Sequence, residues 1–213
     1  MKKHLLAVMA LSAVLTTASP ASAIPIAATD LDVWLPAAGP LFAGPMLDNF
    51  DAAAPPPATV GALGSAVYFP DGVIGSLYTY IMQVTPSINN ISEFNTGFAV
   101  DGFVGIAGWS FSQAAAAGGT GTATDFNIDF EADGTIDFAT AFNQALSSGF
   151  DSGEVITFFF LSTRPPHTNY YNVIDGEVGT ALGFAPVPEP GSIALLGSGL
   201  VGLLARRRRK AQR

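Results

Sequence analysis

Glycine and proline interrupt this chain so often that long regular helices are excluded from most of it. The 213 residues include 23 glycines and 15 prolines, and both residue types disfavour helix interiors and favour turns. Charged residues make up only 12% of the sequence, fewer than a helical bundle or coiled coil places on its surface. Cysteine is absent, which excludes disulfides and thiolate metal sites. The sequence therefore predicts one turn-rich domain of short β-strands.

Alternation of apolar and polar residues identifies the best strand candidates. Residues 78–84 alternate, which predicts a half-buried strand, and residues 155–161 are apolar apart from Thr157, which predicts a strand covered on both faces. Residues 125–130 and 135–138 alternate on either side of the turn-forming sequence Glu-Ala-Asp-Gly. These two segments predict a β-hairpin.

Weaker patterns complete an all-β prediction. Further strands are predicted at residues 31–35, 67–69, 98–110 and 169–174, a helix at 138–147, a stiff linker at 52–58 and a flexible stretch at 114–124. Several short strands with turn residues between them are typical of an antiparallel β-sandwich or jelly-roll-like domain. We expect this domain to occupy residues 24–185.

The charges are strongly segregated along the chain. The segment from Asp30 to Glu189 contains all 17 acidic residues and a single basic one, Arg164, which gives it a formal charge of −16. Such a surface cannot neutralise phosphates, so nucleic acid is excluded as a partner. Cations or neutral polymers are the partners that this charge favours.

The first 23 residues have the composition of a secretory signal peptide. Lys2 and Lys3 precede an apolar stretch too short to span a bilayer, and Ala21 and Ala23 supply the small residues that signal peptidase requires. We therefore expect cleavage after Ala23, and a mature chain that begins at Ile24.

The C-terminal segment, residues 187–213, combines a short motif, an apolar stretch and a basic tail. The motif residues are Val187, Pro188, Glu189, Pro190 and Gly191, and the basic tail at 206–213 contains Arg206, Arg207, Arg208, Arg209 and Lys210. The fourteen residues between them, 192–205, carry no charge. As a helix they would extend about 21 Å, against about 30 Å for a bilayer core. With help from flanking residues we expect a transmembrane helix whose basic tail stays in the cytoplasm.

This order of Pro-Glu-Pro, short apolar helix and arginine cluster resembles the PEP-CTERM sorting signal of Gram-negative bacteria, also catalogued as the ice-binding protein C-terminal domain. The resemblance covers residues 187–213. It implies recognition by a membrane-embedded exosortase, transient anchoring in the inner membrane, and release to the cell surface or the extracellular matrix. It also implies an association with exopolysaccharide or biofilm.

Four carboxylates around the predicted hairpin turn suggest a calcium site. Asp129, Glu131, Asp133 and Asp137 occupy positions 1, 3, 5 and 9 of a calcium-loop pattern, with Gly134 at position 6. The final position is Thr140, where a bidentate Glu would be expected. The alternative is an ordinary hairpin turn that binds no metal.

Two other patterns point to function only weakly. Threonines alternate at Thr120, Thr122 and Thr124 and would share one face of a strand, an arrangement that could bind ice. The alternative is a glycine-rich loop without a binding role. After signal removal His167 is the only histidine, and it follows two prolines in what reads as an exposed loop.

Two functions remain open from the sequence. The absence of a nucleophile-and-base motif favours a non-catalytic cell-surface or matrix protein. The alternative is an exported polysaccharide-acting enzyme that uses two carboxylates, which the sequence alone cannot pair.

Overall fold

The computed structural model describes residues 23–35, 39–53, 58–69, 77–141 and 149–188. Within these ranges the chain forms twelve strands and two short helices. In chain order they are β1 (Ile24–Ile26), β2 (Thr29–Asp30), α1 (Leu31–Trp34), β3 (Leu41–Ala52), β4 (Thr59–Tyr68), β5 (Tyr78–Pro86), β6 (Glu93–Asn95), β7 (Phe103–Trp109), α2 (Phe111–Ala116), β8 (Phe126–Phe130), β9 (Ile136–Thr140), β10 (Ile156–Ser162), β11 (Pro166–Asp175) and β12 (Glu177–Pro186).

The strands form a single curled sheet. Their order is β1-β8-β9-β6-β11-β12-β3-β4-β5-β10-β7-β2, and the pairing is antiparallel except for β2, which runs parallel to β7. The prediction of a β-rich, mainly antiparallel domain is confirmed. The prediction of a sandwich, which needs two stacked sheets, is not confirmed. Because β1 and β2 lie at opposite edges of the sheet but only two residues apart in the chain, residues 24–30 join both edges.

Aromatic side chains fill the concave side of the sheet. Phe158 of β10 is fully buried, with ring centroids 4.9 to 6.3 Å from those of four other aromatic residues, which are Phe94, Phe126, Phe138 and Phe150. Four of these five residues lie in β6, β8, β9 and β10, and Phe150 lies in the segment that precedes β10. Their close packing makes β10 the centre of the core.

β10 is buried on its convex face as well, as its apolar sequence predicts. Phe159 and Leu161 point away from the main core and pack under α1, where the Trp34 ring stacks 6.3 Å from that of Phe159. The prediction of a strand at 31–35 is wrong for a local reason. The Asp30 carboxylate accepts a hydrogen bond from the Asp32 N–H at 3.1 Å, which caps a helix at this point.

Two other local predictions are also corrected. The stretch at 114–124 is helical at its start, because Ser110 caps α2 by accepting from the Gln113 N–H at 3.2 Å. The helix predicted at 138–147 is wrong at its beginning, since residues 138–140 belong to β9. Residues 142–148 lie outside the described residues.

Candidate functional site

The predicted hairpin at the acidic sequence is confirmed. β8 and β9 pair in the register that places Asp129 opposite Asp137. On alternate positions Ile128 and Phe138 point into the core and are buried, so the two aspartates face outward and are only half-buried. Strand geometry therefore brings these two carboxylates to the same outer surface.

Pairing with further strands extends this pair into a polar row. Directly opposed residues of antiparallel strands have side chains on the same face, and the registers continue from β9 to β6, β11 and β12. The polar row consists of Asp129, Asp137, Asn95, Asn172 and Thr180. The sequence analysis found the two aspartates and missed the other three residues, because only the register connects them.

Hydrogen bonds fix the two amides of the polar row. Asn172 Nδ2 donates to Asn95 Oδ1 at 2.9 Å, and Asn95 Nδ2 donates to Glu93 Oε1 at 2.8 Å. The Gly97 N–H also donates to Asn95 Oδ1, at 3.0 Å. These side chains line an open groove of about 520 Å³, whose other walls include Glu131, Asp133 and Asp137.

Asp137 is the carboxyl group that this environment perturbs most. Burial raises its pKa to about 7, and repulsion from Glu93, Glu131, Asp133 and Asp129 adds to the effect. A carboxyl group with this pKa gains and loses its proton near neutral pH, whereas a carboxyl group with an ordinary pKa stays ionised there.

One carboxylate of the calcium-loop pattern, Asp133, is hydrogen-bonded within the hairpin turn. The Asp133 carboxylate accepts from the Thr135 N–H at 3.0 Å and from the Thr135 hydroxyl at 2.8 Å, and these bonds lower its pKa. Gly134 adopts φ of 89°, which the turn needs. Across the described ranges, no group of three or more His, Asp or Glu side chains is arranged to hold a metal ion.

The alternating threonines belong to a loop and do not line a strand. Asp125 is fully buried and accepts hydrogen bonds from the N–H groups of Thr120, Gly121 and Thr122. The hydroxyls of Thr120, Thr122 and Thr124 lie within 3.5 Å of one another. The loop interpretation is therefore confirmed, and the three hydroxyls form a compact triangle.

His167 lies in a strand, which corrects the exposed-loop interpretation. It belongs to β11 and pairs with Ala185 of β12. Its side chain is half-buried.

The sorting segment begins directly where the sheet ends. β12 ends at Pro186, and the Val187 N–H donates to the Pro165 carbonyl at 2.9 Å. Val187 and Pro188 are thus the last described residues of the predicted motif. The remaining predicted residues of both terminal segments lie outside the described part of the chain, and they are Ala21, Glu189, Pro190, Gly191, Arg206, Arg207, Arg208, Arg209 and Lys210.

The family model described as the PEP-CTERM protein-sorting motif matches residues 186–210. The chain carries a PEP-CTERM motif. No curated protein and no solved structure matches the sequence. The PEP-CTERM motif indicates an exported protein that is targeted to exosortase and anchored transiently in the membrane.

In the described ranges, no helix is long and apolar enough to cross a membrane. The predicted transmembrane helix at 192–205 and the signal peptide at 1–23 lie outside those ranges, apart from Ala23. Both therefore stay predictions from the sequence.

Proposed function

We propose that this chain is a non-catalytic protein of the cell surface or extracellular matrix of a Gram-negative bacterium, delivered there by exosortase and associated with exopolysaccharide. The observation that carries the proposal is the PEP-CTERM motif at residues 186–210, which follows β12 without a linker. Signal peptidase would remove residues 1–23, and the basic tail would hold the precursor in the inner membrane until processing.

The polar row is the surface that we propose for the polymer. It presents two amides, a hydroxyl and two carboxylates along a curved sheet face, and such groups donate and accept hydrogen bonds with neutral sugars. The formal charge of −16 between Asp30 and Glu189 disfavours strongly anionic polymers. A neutral or weakly charged polysaccharide therefore fits best.

Sorting is tested by changing the motif without changing the apolar stretch. In the double variant Glu189→Ala with Pro190→Ala, we expect the precursor to accumulate in the inner membrane, measured by immunoblot of membrane and medium fractions. The matched control is Pro56→Ala with Pro57→Ala, in the predicted linker. Unchanged trimming of the motif variant would show that residues 188–190 are only a spacer.

Polymer binding is tested on the amides of the polar row. Asn95→Ala removes the central amide, and we expect weaker retention on immobilised exopolysaccharide from the producing strain. Asn49→Ala is the matched control, because Asn49 is an exposed asparagine of β3 outside the polar row. Equal retention of both variants would contradict a role for the polar row.

One observation favours a second candidate function, an enzyme that acts on polysaccharide. Asp137 has its pKa raised to about 7 and lines a groove that also contains Glu131 and Asp133. A protonated carboxyl group beside an ionised one is the pair that glycoside hydrolysis needs. In this alternative Asp137 is the general acid, and Asp137→Asn abolishes the release of reducing ends while polymer binding persists. Failure of the wild-type chain to release reducing ends supports the non-catalytic function.

A further inference from the structure

Three aromatic rings and a leucine form an apolar rim at one end of the sheet. The apolar rim consists of the contacting rings of Phe42, Phe69 and Tyr78 and of Leu41, which precedes Phe42 at the start of β3. The ring centroid of Phe42 lies 5.8 Å from that of Phe69 and 5.5 Å from that of Tyr78. Phe42 is nevertheless 54% exposed and Leu41 48% exposed. Exposed neighbouring apolar side chains of this kind mark a contact surface.

The registers place the apolar rim at the end of the sheet where β12 terminates. β12 runs antiparallel to β3, with Thr180 opposite Asp51, so the end of β12 at Pro186 lies toward the start of β3 at Leu41. A direct contact supports this direction, because the Phe184 N–H donates to Ser65 Oγ of β4 at 3.1 Å. The sorting segment therefore leaves the domain on the side of the apolar rim.

The N-terminal strand reaches the same end. Ile24, the first residue of β1, pairs with Phe130 at the end of β8. Phe130 is followed by the turn between β8 and β9, residues 131–135, which we call the acidic turn because it contains Glu131 and Asp133. Ile24 is itself 61% exposed. The expected mature N-terminus at Ile24 and the start of the sorting segment at Val187 thus lie at one end of the domain.

The length of chain between the domain and the apolar stretch is very short. Four Cα steps separate Pro188, the last described residue, from Ser192, and they span at most about 14 Å. The apolar stretch at 192–205 is also about 9 Å shorter than a typical bilayer core when helical. A helix that is too short draws its flanking residues toward the bilayer.

We propose that the apolar rim lies in the lipid interface while the precursor is anchored. This inference rests on the anchoring of the sorting segment in the proposed function. Aromatic side chains, tyrosine above all, are favoured at the depth of the lipid headgroups because their rings are apolar and their polar atoms reach water. The acidic turn at Glu131 and Asp133 lies at the same end of the sheet, but β6, β11 and β12 separate it laterally from the apolar rim. In this proposal the anchored domain tilts so that the apolar rim faces the lipid and the acidic turn stays in water.

The absence of cysteine allows a direct test by single-site nitroxide labelling of the full chain. The test variants are Phe42→Cys and Leu41→Cys in the apolar rim. The control is Val178→Cys, which is similarly exposed at 46% and lies eight residues before Pro186 in β12, about 26 Å away along the strand. Each labelled chain is reconstituted into vesicles of phosphatidylethanolamine with a minor fraction of phosphatidylglycerol. Collisions of the nitroxide with oxygen and with a water-soluble nickel complex then report its depth.

We expect the ratio of oxygen to nickel collisions to be severalfold higher at positions 41 and 42 than at 178. Flotation of the vesicles tests membrane anchoring separately from the contact between the apolar rim and the lipid. Chains that float with the lipid but show aqueous nitroxides at all three positions would overturn the rim contact and leave the anchor intact. Chains that do not float would overturn the anchor and the rim contact together. Spin–spin broadening at position 42 would show that a second copy covers the apolar rim, which also overturns the proposal.

Discussion

Two parts of the same sheet differ in what lies against their convex faces. In β10 the outward residues Phe159 and Leu161 are buried beneath α1. In β8 and β9 the outward residues Asp129 and Asp137 are half-exposed. The inward residues of both regions are alike, because Phe138 and Phe158 meet in one core.

The residue pattern of a strand in this sheet depends on whether its outer face is covered. A covered strand is apolar at most positions, as β10 is apart from Thr157 and Ser162, while an uncovered strand alternates. The polar row is therefore a consequence of leaving β8, β9, β6 and β11 open to solvent. Four changes test how far this difference extends, from the largest effect to the smallest.

Removing the ring at the centre of the core should have the largest effect. We expect Phe158→Ala to lower the free energy of unfolding by about 4 kcal/mol. For Phe159→Ala we expect about 3 kcal/mol, because the short helix α1 can move to fill part of the cavity that the lost ring leaves. Urea unfolding monitored by circular dichroism measures both. A cost below about 1 kcal/mol for Phe159→Ala would mean that α1 does not protect the outer face of β10.

Among the carboxylates, the buried Asp125 should matter most. Both of its oxygens accept hydrogen bonds, with Thr120 Oγ1 at 2.7 Å and the Gly121 N–H at 2.8 Å among the donors. Asp125→Asn leaves a backbone N–H facing an NH₂ group, and we expect a loss of about 3 kcal/mol. Asp151→Asn, at an exposed carboxylate that accepts from the Asn90 N–H, serves as the control and should cost under about 1 kcal/mol. Similar losses for both variants would contradict this ranking.

Asp137 should make the domain less stable as the pH rises. Its pKa of about 7 in the folded state exceeds the value of about 4 expected in the unfolded state, so the folded state binds the proton more tightly. The resulting stabilisation is complete below pH 4 and is lost as the pH rises to 7. Because the side chain is only half-buried and solvent screens its neighbours, we expect a loss of about 1–2 kcal/mol.

Unfolding in urea at acidic and at slightly alkaline pH measures this loss. Asp137→Asn should remove most of it, whereas Asp175→Asn, at an exposed carboxylate at the far end of β11, should retain it. An unchanged pH dependence in Asp137→Asn would place the responsible proton elsewhere.

Calcium should have the smallest specific effect. The Asp133 carboxylate accepts hydrogen bonds from the N–H and the hydroxyl of Thr135, so a cation at the acidic turn would have to compete with these bonds. Calcium and magnesium at equal ionic strength should raise the melting temperature equally, by screening the negative surface. A larger shift with calcium that disappears in Asp133→Asn would instead support the predicted calcium site at Asp129, Glu131, Asp133 and Asp137.

Sequence patterns predicted the elements whose burial follows a simple period. Alternation identified β5 and the hairpin of β8 and β9, and the apolar run identified β10. β3 was missed because most of its side chains are exposed and its register with β4 shifts near Gly44 and Pro45. A strand without alternation gives no periodic signal.

The polar row could be predicted only in part. Asp129 and Asp137 are close in sequence and share one hairpin, so the pattern found them. Asn95 and Asn172 come from separate strands, and each alone is an ordinary surface asparagine. Only the long-range registers of β6 with β9 and β11 bring them together.

The segment at residues 24–30, which joins both edges of the sheet, also sets the order in which the fold can be completed. Ile24 pairs with Phe130, 106 residues later, and Thr29 pairs with Gly108, 79 residues later. The ribosome synthesises the N-terminus first, so this segment has no strand partner until more than half of the protein has been synthesised. Contacts of such long sequence separation form slowly. Until they form, both edges of the sheet stay open to pairing with other chains, so the topology exposes the unfinished domain to aggregation during this interval.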